Sequence, residues 1–438
     1  MNIPVITYGT SQDNLVSGLE RLHGPVTVVR RCAELTELLA ACQSGLARAA
    51  VVSDGTEGLT ASLVARLDAL GVSVVALTDE HGEAERLGAI GVVPAAAGID
   101  PGDLAGAISD AVRGQGDRSG RRASVHNEFS GLDAEAPRNN PGLPAQDAAA
   151  EERVGKVIAV WGPAGAPGRT LLAVNLAAEL AAAGSSVMLV DADSYGASAA
   201  AVLGLLDEAA GLAQACRLAD QGVLTVDALR TMAADVHTKG GTLQLLSGIT
   251  RADRWTELRP SALSTVLEVA AQTAQVVVID VGFCLESDEE LSFDTLAPRR
   301  NGATLRCLEL ADEVIAVGAA DAIGVPRLVR GLAELETAVP NATVRVVMNK
   351  VRSSSAGRSP RRQLSEAWER FGPAHGIEAY LPADFEACDA ALLSGQVLSE
   401  CAPDSALRRA IAGLVCAPNH ENRRSFGRSS RALTFLKR

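Results

Sequence analysis

Aromatic residues are scarce: three Trp, three Tyr and seven Phe make up 3% of the 438 residues, while hydrophobic residues as a whole make up 47%. The core must therefore be built from Ala, Val, Leu and Ile, the composition of parallel α/β sheets whose strands are buried on both faces. Basic charge is also short. A net charge of −13 excludes a protein that coats nucleic acid with its whole surface, because phosphate neutralisation needs clustered Lys and Arg. No CxxC pair occurs among the eight cysteines, Cys32, Cys42, Cys216, Cys284, Cys307, Cys388, Cys401 and Cys416. They read as small buried hydrophobes, not as a metal site or a disulfide frame. Nowhere do 18 apolar residues run unbroken, and no basic start precedes an apolar stretch, so the expected location is cytoplasmic.

What is present falls into four parts. The chain is long enough for two domains. Residues 1–112 alternate apolar runs (3–8, 26–29, 49–53, 72–77 and 89–94) with helical patterns, which indicates a small parallel sheet. Residues 113–153 are rich in Gly, Ser, Pro, Asn and charge and read as a flexible linker. Residues 154–416 carry the motifs below, and residues 417–438 form a basic tail.

The order and turn positions of residues 1–112 resemble a response-regulator receiver domain. Asp54 and Thr78 stand where that family has its phosphoacceptor and hydroxyl. The remaining chemistry is missing: the first strand leads into Tyr8-Gly9-Thr10 instead of an acidic pair, and the last, near Val93-Pro94, lacks a lysine. With no metal site to neutralise an incoming phosphoryl group, Asp54 reads as a turn residue before Gly55.

In the third part, the buried-strand run KVIAVW (156–161) is followed by GPAGAPGRT and then by the helical pattern LLAVNLAAELAAAG. Strand, glycine-rich turn and helix in succession make a phosphate loop credible, since a helix N-terminus offers free N–H groups and glycines let the backbone wrap closely. The alternative is a glycine-rich turn without a ligand. VMLVDAD puts Asp191 and Asp193 at a strand end, where each could equally be a turn former, and VVVID puts Asp280 at the end of a second apolar strand. Residues 281–301 hold an acidic run and then Arg299-Arg300, either a switch segment or a solvated loop. Two further strands end in Asn349, for which a strand-end turn residue is the alternative to a ligand contact, and in Pro382.

The segment from Gly168 to Ala177, GRTLLAVNLA, resembles the GKTTxAVNLA of MinD/ParA ATPases, and the motifs follow in that family's order. The resemblance departs at the loop, where Pro163 replaces the first glycine, Ala164 the signature lysine and Arg169 the second lysine. In that family the signature lysine reaches the partner's nucleotide across a dimer interface. The resemblance implies a phosphate cradle of Gly165, Ala166, Pro167, Gly168, Arg169, Thr170 and Leu171, with Asn349 and Pro382 at the base. It also implies Mg²⁺ held through Thr170 and Asp280, and Asp191, Asp193 and Arg169 as the catalytic set.

The expected fold class is α/β: a receiver-like, flavodoxin-like domain followed by a P-loop NTPase domain with a mostly parallel sheet. The whole chain resembles the CpaE/TadZ type of pilus-assembly and septum-site localisation proteins. That resemblance implies an ATP- and Mg²⁺-binding factor that forms a homodimer on ATP binding, hydrolyses weakly, and meets a protein of a pilus, secretion or division apparatus. One alternative is a partition ATPase acting on DNA, disfavoured by Ala164 and the acidic total; another is a nucleotide-free scaffold. The tail, with six basic residues interleaved with Phe and Leu, could bring the protein to the inner face of the membrane. Incubation with acetyl phosphate and Mg²⁺ should add no mass to the intact protein; a stoichiometric adduct lost in Asp54→Ala would restore receiver chemistry to the first domain.

Overall fold

The computed structural model describes residues 2–9, 13–22, 24–124, 155–165, 168–205, 209–287 and 299–416. The tail, linker residues 125–153, loop residues Ala166 and Pro167, and positions 288–298 of the expected switch segment lie outside the described residues. No described helix is long and apolar enough to cross a membrane.

Two parallel-rich sheets form. The first contains β1 (Ile3–Tyr8), β2 (Val26–Cys32), β3 (Ala49–Val52), β4 (Ser73–Leu77) and β5 (Val93–Ala95). Its order, β2-β1-β3-β4-β5 with every pairing parallel, is the flavodoxin-like doubly wound order. Two expected boundaries differ. Residues 89–92 are not strand: Ala89 ends a helix, and Gly91, at φ +87°, turns the chain before the short β5. The helix Pro101–Ser124 continues past residue 113, where composition suggested a linker. Buried Gln115 holds it there, donating to the Asp68 carbonyl and carboxylate and accepting from the Ser73 hydroxyl at 2.8 Å.

The second sheet has eight strands in the order β13-β12-β11-β6-β10-β7-β9-β8. These are β6 (Lys156–Trp161), β7 (Val187–Ala192), β8 (Ala234–Thr238), β9 (Gly241–Leu246), β10 (Val276–Val281), β11 (Glu313–Ala319), β12 (Val344–Val351) and β13 (Ile377–Pro382). Only edge strand β8 is antiparallel, in a hairpin with β9 that the apolar runs had not revealed. The centre of the sheet is covered on both faces. Along β6 the pleat sends Val157, Ala159 and Trp161 to one core, with Leu263, Leu267 and Leu328, and Ile158 and Val160 to the other, with Leu172, Leu176 and Ile411. This two-sided burial is why β6, β7, β10 and β11 read as unbroken apolar runs.

The two sheets meet through helices. Ser62, on the helix Ala61–Ala69, donates its N–H to the Asp220 carboxylate at 2.8 Å, and its hydroxyl lies 3.1 Å from that of Ser261. Arg86 donates to the Gln221 carbonyl at 3.1 Å. Asp220 closes the helix Gly211–Asp220, and Ser261 opens the helix Pro260–Thr273 that feeds β10.

At the opposite edge of the second sheet, buried Glu313 joins three strands. It accepts from Lys156 of β6 at 2.6 Å and from Arg345 of β12, which also forks onto Glu378 of β13. Burial pushes the Glu313 carboxyl up, but the hydrogen bonds from Lys156 and Arg345 outweigh it and hold the group below the usual carboxylate range. A carboxyl depressed on folding contributes stability above its unfolded pKa and loses it as pH falls through the folded one. Arg345→Met, which strips a partner from a buried carboxylate, should cost about 3 kcal/mol in urea unfolding near pH 7. The difference from the parent should shrink as pH falls below the usual carboxylate range and Glu313 protonates; a pH-independent difference would remove the ionic account of this node.

Candidate functional site: a phosphate loop over two buried carboxylates

The strand order reverses about β6, with β11 on one side and β10 on the other. Ligand crevices in open α/β sheets lie at such switch points, outside the carboxyl ends of the strands. Here the chain leaves β6 at Trp161, passes through the loop and enters the helix Arg169–Ala182 at Gly168. Gly165 and Gly168 have φ of +74° and +88°, in the left-handed region that glycine adopts without penalty. A Cβ at Gly168 would stand 2.5 Å from the Asn349 side-chain nitrogen, so glycine here also lets the end of β12 approach the loop.

Thr170, in the first helical turn, donates its hydroxyl to Asp280 Oδ2 at 2.5 Å. β10 pairs with both β6 and β7 and brings Asp280 opposite Val160 and Asp191. Both aspartates are 1% exposed. Burial, followed by the charge of Asp191, pushes the Asp280 carboxyl well above the usual range, and the Thr170 hydrogen bond only partly opposes it. Asp280 Oδ1 is buried without a hydrogen-bond partner among the described residues. An orphaned carboxylate oxygen under a phosphate loop fits a hydrated divalent cation, whose charge would reverse the local preference for the neutral acid.

Asp191 serves mainly as a structural acceptor. Its oxygens take the N–H groups of Ala199 at 2.9 Å and Asp193 at 3.3 Å. Burial raises its pKa to about 6 against those hydrogen bonds. Asp193 closes the following turn, accepting from the N–H groups of Tyr195 and Gly196, and lies 3.6 Å from the Arg169 guanidinium.

Arg169 folds back on its own loop. It donates to the Gly162 carbonyl at 2.8 Å, faces Asp193, and stands 6.0 Å from the centre of the Phe283 ring. Ala164 and Gly165 are exposed on the loop, and Leu171 continues the helix, its carbonyl accepting from Asn175 at 2.8 Å. Asn349 joins this group from β12, against Gly168. Pro382 lies one strand further out, opposite Val351 at the end of β13.

Sequence reasoning missed a second layer around the loop. Tyr195 donates to Asn301 at 2.7 Å, packs on Phe283 at 4.9 Å, and carries Arg300 over its ring at 4.4 Å. Asn301 donates to the Glu286 carbonyl at 2.8 Å, so the described ends of the segment after β10 fold onto the Asp193 turn. Tyr195 in DADSYG and Phe283 two residues beyond β10 were the available signals in a chain so poor in aromatics. The cysteines do not all sit as expected: Cys284, Cys388 and Cys401 are partly exposed, whereas Cys32, Cys42, Cys216 and Cys307 are buried, all as free thiols.

Strand, phosphate loop, helix and a buried Asp bonded to the helix's first-turn Thr define a P-loop nucleotide-binding domain. The chain belongs to the CobQ/CobB/MinD/ParA nucleotide binding domain family, whose model matches residues 158–391, more than half of its length. Among solved structures it is similar to the ParA family ATPase from Chlorobium tepidum TLS, at 19% identity over 60% of this chain and 99% of that one, with a TM-score of 0.49. The cell division ATPase MinD of Pyrococcus furiosus is 21% identical over 59% of this chain and 96% of its own, with a TM-score of 0.46. The septum site-determining protein MinD of Pyrococcus horikoshii OT3, solved with Mg-ADP, is 21% identical over 59% and 94%, with a TM-score of 0.45. No curated protein matches the chain.

Gly168→Ala should cost about 1–2 kcal/mol for its left-handed backbone alone, read as a lower denaturant midpoint. A midpoint equal to the parent's would mean that the loop relaxes without holding Asn349.

Proposed function

We propose that this protein is an ATP- and Mg²⁺-binding localisation factor of the CpaE/TadZ kind, which dimerises on ATP and hydrolyses it weakly. The observation that carries the nucleotide reading is the Thr170–Asp280 hydrogen bond, with Asp280 Oδ1 unpartnered among the described residues beneath the loop. Thr170 and Asp280 would hold the cation, the loop's N–H groups and the helix N-terminus the phosphates, and Asn349 the base. Bound Mg²⁺ supplies positive charge to the polyphosphate.

Weak turnover follows from the loop. Positive groups that meet charge developing on a transferred phosphoryl group supply much of the rate in P-loop enzymes. Ala164 offers none, and Arg169 is engaged by Gly162 and Asp193. Its planar guanidinium also differs from an ammonium point charge. Asp191 and Asp193 remain candidates to orient a water, though their hydrogen bonds to the 193–199 turn support a structural role first.

The flavodoxin-like order of the first sheet supports a receiver-like domain, and the absence of a basic residue from Val93–Ala95 supports one that is not phosphorylated. This domain would recruit the partner in a pilus, secretion or division apparatus. The site of action would be the cytoplasm, with the basic tail as the membrane contact.

Titration with mant-ATP should show Mg²⁺-dependent binding that falls about tenfold in Asp280→Ala, the effect of losing about 1.4 kcal/mol. Sedimentation should show a dimer with ATP and Mg²⁺ and a monomer without. Phosphate release should be slow and rise in the Ala164→Lys, Arg169→Lys double variant. Equal affinity in the Asp280 variant, or no ATP-linked change in mass, would defeat the occupancy-switch reading.

A further inference from the structure

The phosphate loop has a second cation that comes from outside it. A Cβ placed on Gly165 would lie 2.5 Å from a terminal nitrogen of Arg327, so this guanidinium rests directly on the loop. Arg327 belongs to the helix Gly324–Ala338, which follows β11, the neighbour of β6. The side chain is exposed, and among the described residues it has neither an ion pair nor a hydrogen bond.

Its position is fixed by the face of the helix that carries it. Gly324, Arg327, Leu328 and Gly331 recur at three- and four-residue spacing and so share one side. Gly324 packs on the Ala319 backbone and Leu328 on Gly318, both at the end of β11. Gly331 lies over the loop itself, where a Cβ would be 3.0 Å from Pro163 Cβ and 3.1 Å from Trp161 Cη2. Pro163, the residue that departs from the family's first glycine, thus meets the helix one turn beyond Arg327. With both ends of this face seated, the helix places Arg327 within reach of Gly165, beside the position where Ala164 stands in place of the family's lysine.

The two arginines differ in what they can offer a ligand. Arg169 already faces a carboxylate and donates to a carbonyl. Among the described residues, no ion pair or hydrogen bond engages the charge or the donors of Arg327. A guanidinium fork with free N–H groups suits phosphate oxygens better than any neutral group.

Resting on the nucleotide reading above, we propose that Arg327 is a phosphate-binding residue that contacts the terminal phosphate of a bound nucleoside triphosphate and supplies the positive charge missing at Ala164. It therefore sets preference for triphosphate over diphosphate. Because it stands on β11's helix and not in the loop, it also ties nucleotide state to the position of that helix.

The test is titration of the full chain with mant-ATP and mant-ADP in the presence of Mg²⁺, using the parent, Arg327→Ala, Arg327→Lys, Asp280→Ala and the double variant Ala164→Lys, Arg327→Ala. We expect Arg327→Ala to lose about tenfold in affinity for mant-ATP and less than about threefold for mant-ADP, Arg327→Lys to fall between, and the double variant to recover. Thermal unfolding without nucleotide should match the parent, because the side chain has no ion pair or hydrogen bond to lose among the described residues. If Arg327→Ala binds both nucleotides like the parent while Asp280→Ala loses Mg²⁺-dependent binding, the assignment of Arg327 is wrong and the nucleotide reading stands. If the parent binds neither nucleotide, both fall.

Discussion

Asp191 and Asp280 are brought opposite one another, almost without solvent, by the pairing of β7 with β10. Two carboxylates side by side in an apolar interior repel and are poorly solvated, so the surrounding structure has to supply donors or a cation. For Asp191 the donors are backbone N–H groups of the turn that follows its own strand. For Asp280 there is the Thr170 hydroxyl on one oxygen and, among the described residues, no hydrogen-bond partner on the other. This asymmetry separates an aspartate that shapes a turn from one whose second oxygen lies beneath the phosphate loop without a hydrogen bond from the described residues. It also explains why the helix after the loop begins where it does: Thr170 must be in its first turn to reach β10.

Cationic groups around the loop follow from the same electrostatics. Asp193, two residues beyond Asp191, faces Arg169, whose guanidinium stands 6.0 Å from the Phe283 ring, and Tyr195 packs between Phe283 and Arg300. The segment after β10 is stitched to this cluster through Asn301. A change at the loop that moved Arg169 would therefore be felt at Asp193, at the aromatic pair and at the ends of the segment that leaves Asp280.

The contact between the two sheets touches elements that lead to the same place. Asp220 and Ser261, which meet Ser62, belong to helices packed against the sheet face beneath β10, and the second of them runs directly into it. Arg86 anchors the other side of this contact while holding the carbonyls of Leu59 and Thr56 and the carboxylate of Glu83. The first domain thus rests on the helix that leads into the strand carrying Asp280.

Composition and apolar period alone determined the α/β class, the parallel strands and the existence of the loop, because strands buried on both faces must be continuous apolar runs and a phosphate loop must be glycine-rich. The placement of Thr170, Asp191, Asp193 and Asp280 at a helix start and at strand ends was legible for the same local reason, each signal lying within a few residues, whereas the roles expected of them came from the resemblance alone. The β8–β9 hairpin was not legible, since its short half-exposed strands lack such a run. The true start of β5 and the continuation of Pro101–Ser124 were hidden too, being set by Gly91 and by Gln115's distant partners. Only the tertiary structure decided which charges are engaged. Arg169, in the loop, faces Asp193, whereas Arg327, about 160 residues from it in sequence, lies on Gly165 without an ion pair among the described residues, because side-chain neighbours across a parallel sheet are set by strand order and not by distance along the chain.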